Sequence, residues 1–208
     1  MTSPVITRRR RLEPDERRRQ ILAAAIELFG EKPYPMVSTI ELAERAGVAR
    51  GLINHYFGNK RELYLEVMRQ LVMIAPLTPD QVPQGSVEVR AAAVVDHFLD
   101  LISRHGRTWL AAVGAEGVGG DPEVEQILAE ADDRAADWVV EAMGLDTADE
   151  RLHAMVRMFG GLIKAGGREW ITRGTLTRDD LHLNLTQLLV TMLREVVPRV
   201  PAGRRSSR

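Results

Sequence analysis

The sequence predicts an all-α chain with a small three-helix N-terminal head and a larger helical body. Three observations predict it. Apolar residues recur at three- and four-residue intervals from end to end, no segment alternates with period two, and most periodic runs open on a capping residue and close on Gly or Pro. From Pro14 to Gly30, one stripe is formed by Ile21, Leu22, Ala25, Leu28 and Phe29, and Pro33 and Pro35 stop it. Ser38-Thr39-Ile40-Glu41 has the spacing of a capping box and opens a two-turn helix, Thr39 to Ala46, closed at Gly47. A short helix follows from Ala49 to Tyr56 or Phe57. Asn59 then caps a longer one, striped by Leu63, Val67, Leu71 and Ile74 and ended by Pro76 and Pro79.

The body continues in the same way. Ser86 opens a helix reaching His105, and an apolar, glycine-rich segment runs from Trp109 to Val118. Asp121-Pro122 is a cap followed by the favoured first-turn proline, opening a helix to about Met143. Thr147-Ala148-Asp149-Glu150 reads as a second capping box. It starts a helix through Leu152, Met155, Val156, Phe159, Ile163 and Trp170 that ends at Gly174. Thr177 caps the last helix, with Leu181, Leu185, Leu188, Met192 and Val196 in one stripe before Pro198.

Composition narrows the function classes. At 208 residues and 45% hydrophobic content the chain fits one or two ordinary globular domains. The absence of cysteine excludes disulfides, thiolate zinc sites and cysteine nucleophiles, and a reducing cytoplasm is the expected setting. The longest stretch without Asp, Glu, Lys or Arg is 13 residues, Leu181 to Leu193, too short for a membrane span. The arginine run Arg8 to Arg11 lies too far from the next apolar stretch to form a secretion signal.

The net charge of -1 conceals a segregation. Residues 1–70 carry 13 Lys and Arg against 9 Asp and Glu, residues 71–198 carry 11 against 20, and the tail has four arginines and no acid. A basic end on an acidic body directs a polyanion to that end. Within it, two short helices joined at Gly47 have the layout in which the first crosses a phosphate backbone and the second enters the major groove. Packing is expected to turn Ile40, Ala43, Ala46, Val48, Ile53 and Phe57 inward. That leaves Arg50, Gly51, Asn54, His55 and Tyr56 outside. Arginine can fork onto guanine, asparagine can pair with adenine or bond phosphate, and glycine admits close backbone approach. Thr39 and Lys60, in first turns, suit phosphate oxygens.

The string from Ile21 to Phe29, then Ser38-Thr39 with Glu41 to Val48, then Gly51 to Leu63, resembles the DNA-binding domain of the tetracycline-repressor (TetR) family of bacterial regulators. The resemblance covers residues 17–72. It implies an N-terminal three-helix DNA-binding head with a helix-turn-helix and a C-terminal helical ligand-binding and dimerisation domain. It also implies contacts to bases or phosphates from Thr39, Arg50, Gly51, Asn54, His55, Tyr56 and Lys60. The pattern departs at Asn54, where tyrosine is usual, at Tyr56, where histidine is frequent, at Ala49 in place of a capping serine, and at Pro33 in place of a glycine. The expected organisation is a basic arm (1–13), a DNA-binding domain (14–75), an effector and dimerisation domain (76–198) and a basic tail (199–208). The expected function is that of a homodimeric repressor released from a palindromic operator by a small-molecule effector; an activator is the alternative.

In the body, Phe98, Trp109, Trp138, Met155 and Phe159 are candidate effector-pocket residues, with His97, His105 and Glu116 as polar candidates. Gly160, Ile163, Gly167, Leu185, Leu188 and Met192 are the candidate dimer contacts, because glycines mid-helix permit close backbone approach. No cofactor or metal is expected. Glu150-x-x-His153 and Asp179-x-x-His182 imitate a diiron spacing, but both sit at helix starts and lack the further glutamates such a site needs. An enzyme therefore has no constellation to carry it. A non-specific binder using only the basic arm is the other rival.

Overall fold

The computed structural model of the chain describes residues 13–73, 75–78, 81–113 and 121–199. Arg8 to Arg11, Ile74, Glu116 and the tail beyond Arg199 lie outside the described residues, as does the side chain of His105. Among the described residues there are eight α-helices and no strand. They are α1 (Pro14–Glu31), α2 (Thr39–Arg45), α3 (Arg50–Phe57), α4 (Lys60–Val72), α5 (Val87–Val113), α6 (Pro122–Ala142), α7 (Glu150–Gly167) and α8 (Arg178–Thr191). Wider π-type turns prolong α7 over Arg168–Arg173 and α8 over Met192–Val196. Among the described residues, no helix is long and apolar enough to cross a membrane. The chain divides into two compact units between Val67 and Met68, inside α4, whereas the sequence expectation put the boundary at residue 75.

In the first unit, α1 buries the expected Ile21, Leu22, Ala25, Leu28 and Phe29. Leu42, Ala43, Ala46, Ile53, Phe57 and Leu63 complete its interior. Ile40, expected inside, is 54% exposed. At about 100° per residue, burying Leu42, Ala43 and Ala46 turns position 40 outward on so short a helix. Gly47 adopts φ 62°, and the Val48 amide donates to the Ala43 carbonyl at 2.9 Å, so α2 closes in a Schellman turn.

In the second unit, one hydrophobic core joins α5, α6, α7 and α8 through residues such as Val94, Leu99, Ile102, Val139, Phe159, Ile163, Leu185 and Leu189. The break expected after His105 is a kink: Gly106 takes φ 35°, ψ −110°, and α5 continues beyond it. Asp121 and Thr177 cap as expected, accepting from the amides of Glu123 at 3.0 Å and Asp180 at 3.1 Å. The expected box at Thr147 is replaced by Asp149, whose carboxylate accepts from the Arg151 amide at 3.0 Å. Its charge sits at the helix start, where the macrodipole favours it.

Candidate nucleic-acid interface and ligand cavity

α3 has two unlike sides. Ile53 and Phe57 are buried, Arg50, Gly51, Asn54 and His55 are exposed, and Tyr56 is half-buried. Arg50 and Asn54 share one row along the helix, Gly51 and His55 the next. The rings of His55 and Tyr56 meet edge to face at 5.0 Å. A Cβ built on Gly51 meets no atom within 4 Å, so its backbone is open to close approach. Thr39 is the first residue of α2 and half-buried. The preceding Ser38 Oγ accepts from the Glu41 amide at 3.1 Å. Glu41, expected to reach back to Ser38, instead pairs with Lys32, whose ammonium holds its carboxyl below the usual range.

Most cations of this unit are engaged by the fold itself. Arg18 bonds Glu66 at 3.1 Å and lies over the Phe57 ring. Arg45 forks onto both Glu31 oxygens at 2.9 and 2.8 Å. Arg17 donates to Gln20, Arg19 to the Asp15 carbonyl, and Arg61 pairs with Glu62. Lys60 differs from its expected role as a phosphate contact. Its Nζ donates to the carbonyls of Tyr34 at 3.0 Å and Val37 at 2.8 Å and lies 4.1 Å from the Tyr34 ring centre. Burial pushes its pKa down. Two of its three ammonium hydrogens are committed, so Lys60 fastens the turn leading into α2. Among the described cations of this unit, only the Arg50 guanidinium has neither ion pair nor hydrogen bond.

The second unit encloses a cavity between α5, α6 and α7, lined by Phe98 and Trp109, by Ala131, Ala135 and Val139, and by Phe159, Gly160 and Ile163 among others. Three of the five expected pocket residues, Phe98, Trp109 and Phe159, are in its wall. Trp138 and Met155 are not. Trp138 turns to another groove, beside Leu77 and Arg90, where its Nε1 donates to the Leu77 carbonyl at 3.4 Å. Met155 packs against the core from its edge. His97 bonds the Ala75 carbonyl at 2.8 Å.

The sequence profile for bacterial regulatory proteins of the tetR family matches residues 21–67, and that for the tetracyclin repressor-like C-terminal domain matches residues 87–192, about half of the chain. The chain belongs to the TetR family. This TetR-family member is 28% identical over 152 residues to the HTH-type transcriptional activator FasR of Mycolicibacterium smegmatis, covering 72% of the chain and 69% of FasR. It is 38% identical over 88 residues to the HTH-type transcriptional regulator BetI of Escherichia coli O17:K52:H18, covering 40% of the chain and 45% of BetI. A TetR-family regulator from Streptomyces coelicolor shares its fold, with a TM-score of 0.71 at 20% identity over 93% of this chain and 94% of that one. The TetR-family chain is thus a helix-turn-helix transcriptional regulator and not an enzyme. Among the described residues, no group of three or more His, Cys, Asp or Glu is placed to hold a metal ion.

Most of the residues expected at a dimer contact are turned inward in the chain itself. Ile163, Gly167, Leu185 and Met192 are buried in the TetR-family chain's own core, and Gly160 lines the cavity. Only Leu188, 49% exposed, is openly offered to solvent. A row outside that expectation is exposed on α7: Ala154, Met158, Gly161, Leu162 and Ala165, with Met158 at 67% and Leu162 at 46%. Their spacing of three and four residues was visible, but it competed with an equally apolar row on the opposite side of the same helix.

Proposed function

We propose that the chain is a ligand-responsive repressor that binds a palindromic operator as a homodimer in the cytoplasm. The observation that carries the DNA reading is Arg50: exposed at the start of α3, beside Asn54 and His55, with its charge uncommitted. In this reading Arg50 and Asn54 meet base edges, Gly51 lets the helix seat closely, and Thr39, His55 and Tyr56 position the head on phosphates or bases. The exposed row on α7, with Leu188 on α8, supports a two-fold four-helix interface between copies, because an isologous contact needs an apolar, self-complementary patch. Two α3 helices must then lie about 34–36 Å apart to enter successive major grooves. A ligand in the body cavity that favours a different spacing shifts the population away from DNA. FasR, named an activator, favours a second reading in which the bound regulator raises transcription.

The test is selection of bound duplexes from random DNA, followed by transcription from a reporter carrying the selected site. A palindromic site with two half-sites one helical turn apart, and a reporter silenced by the protein, is the expected result. Indifference to duplex sequence at low salt refutes the reading, and a reporter switched on supports the activator.

A further inference from the structure

The second unit also carries a groove apart from the cavity between α5, α6 and α7. Residues 76–78 and 82–84, the start of α5 and the end of α6 form it, and Leu77, Val82, Pro83, Trp138 and Ala142 give it apolar walls. Two carbonyls fasten the chain that follows α4. That of Ala75 meets His97 Nε2 at 2.8 Å, and that of Leu77 accepts from Trp138 Nε1 at 3.4 Å. The Trp138 ring is held in turn by His97 and Phe98, both with ring centres 5.3 Å away, so the wall is built before any ligand arrives. The groove offers about 460 Å³ to the centre of a water-sized molecule. One water needs roughly 10–15 Å³ by such a measure, so a molecule of many heavy atoms has room.

Arg90 stands in this groove without a partner. Its guanidinium makes neither an ion pair nor a hydrogen bond. The other unpaired cations described in this unit, Arg104, Arg107, Arg134, Arg168 and Arg199, are exposed to water, whereas Arg90 is half-buried. Its Nε is closed off from solvent, but its two terminal nitrogens, equally unpaired, keep accessible surface. A Cβ built on Gly144 would fall 2.8 Å from Nη1, which puts the charged end beside the end of α6, where Trp138, Glu141 and Ala142 reach the groove.

These features select a ligand. A half-desolvated guanidinium lacking a counter-ion is costly, and the two oxygens of a carboxylate match its planar fork. The apolar walls ask for an apolar body beside that carboxylate. Glu141 lines the same groove, exposed and with no cation on it, so a second negative charge would be repelled.

We propose that this groove is a second ligand site, taking a small monocarboxylate with an apolar body and seating the carboxylate on Arg90. The site goes beyond the ligand-responsive reading above, which places its ligand in the body cavity.

Three probes with one apolar body test it on the full-length, DNA-free protein: 3-phenylpropionate, its neutral amide 3-phenylpropanamide and the dianion benzylmalonate, titrated by calorimetry and by tryptophan fluorescence. Phenylpropionate should bind roughly tenfold more tightly than the amide, the gain of a charge-assisted pair at a half-buried site, and benzylmalonate should bind more weakly than phenylpropionate. Arg90→Met should erase the preference for the carboxylate with an equal or higher Tm, because it removes a half-buried charge that has no partner in the free protein. Glu141→Gln, an exposed change, should raise benzylmalonate binding several-fold and carries the test if Arg90→Met does not fold. Gly160→Leu, which fills the body cavity, should leave all three affinities unchanged. The proposal is overturned by no phenylpropionate binding at millimolar concentration, by equal binding of acid and amide, by a preference that survives Arg90→Met, by a benzylmalonate affinity indifferent to Glu141→Gln, or by binding lost in Gly160→Leu. DNA selection on the same preparation keeps the regulator reading separate, since a protein that selects a palindromic site yet ignores the three probes loses only this site.

Discussion

α3 and α7 each carry an exposed glycine, Gly51 and Gly161, yet only α3 declares its inner side in the sequence. In α3 the buried Ile53 and Phe57 contrast with exposed Arg50, Asn54 and His55, so polarity alone assigns the sides. In α7 the inward row Leu152, Val156, Phe159 and Ile163 and the outward row Met158, Gly161, Leu162 and Ala165 are both apolar. The difference teaches that an amphipathic pattern is informative only while solvent covers one side. A helix with core on one side and an exposed apolar row on the other looks apolar all round, and the pattern cannot rank its sides.

The comparison breaks first at the outward row. Met158→Glu combined with Leu162→Glu should convert dimer to monomer in sedimentation at micromolar concentration and lower operator affinity by about 100-fold or more, since the two heads no longer bind as one unit. A dimer that persists would move the interface elsewhere. The inward row should answer differently. Ile163→Ala should cost about 2–4 kcal/mol in denaturant unfolding, through the cavity it leaves, while dimerisation is retained.

On the head, Arg50→Ala should lose about 1–3 kcal/mol on the selected duplex and relax preference at one position per half-site, with unfolding unchanged. Equal losses on selected and random DNA would remove Arg50 as a reader. Lys60→Met should lower stability by about 1–2 kcal/mol, because two carbonyl acceptors lose a charged donor. The salt dependence of DNA binding should stay as it is. A salt slope reduced by about one instead restores Lys60 to the phosphate contacts.

The smallest effect is on acid stability. Arg45 holds the Glu31 carboxyl, and Lys32 the Glu41 carboxyl, below the ordinary glutamate range. A carboxylate whose pKa is depressed on folding adds stability that is full above its unfolded pKa and lost as pH falls through the folded one. Unfolding midpoints should therefore decline as pH drops below the usual glutamate value, and Glu41→Gln should make that decline shallower.

The head was largely legible because its determinants are local. Caps at Ser38 and Asn59, the Gly47 turn and the periodicity of α1 lie within a few residues of what they control, and their bonds form as expected. What was not legible involves partners far apart in the chain. Lys60 reaches Tyr34 and Val37 across more than twenty residues, and nothing in its neighbours distinguishes that bond from an open ammonium. Trp138 and Trp109 carry the same side chain on neighbouring helices, yet one donates to the Leu77 carbonyl and the other lines a cavity.

The sequence by itself determined the helical class, the helix ends of the head, the concentration of arginine at the amino-terminal end and the polar side of α3. Each follows from backbone geometry and solvation acting over one or two turns. Tertiary structure alone decided which apolar row of α7 became core, which cation stayed uncommitted and which tryptophan faced open space. Those outcomes depend on side chains competing for the same volume and the same hydrogen-bond partners, and that competition exists only once distant helices meet.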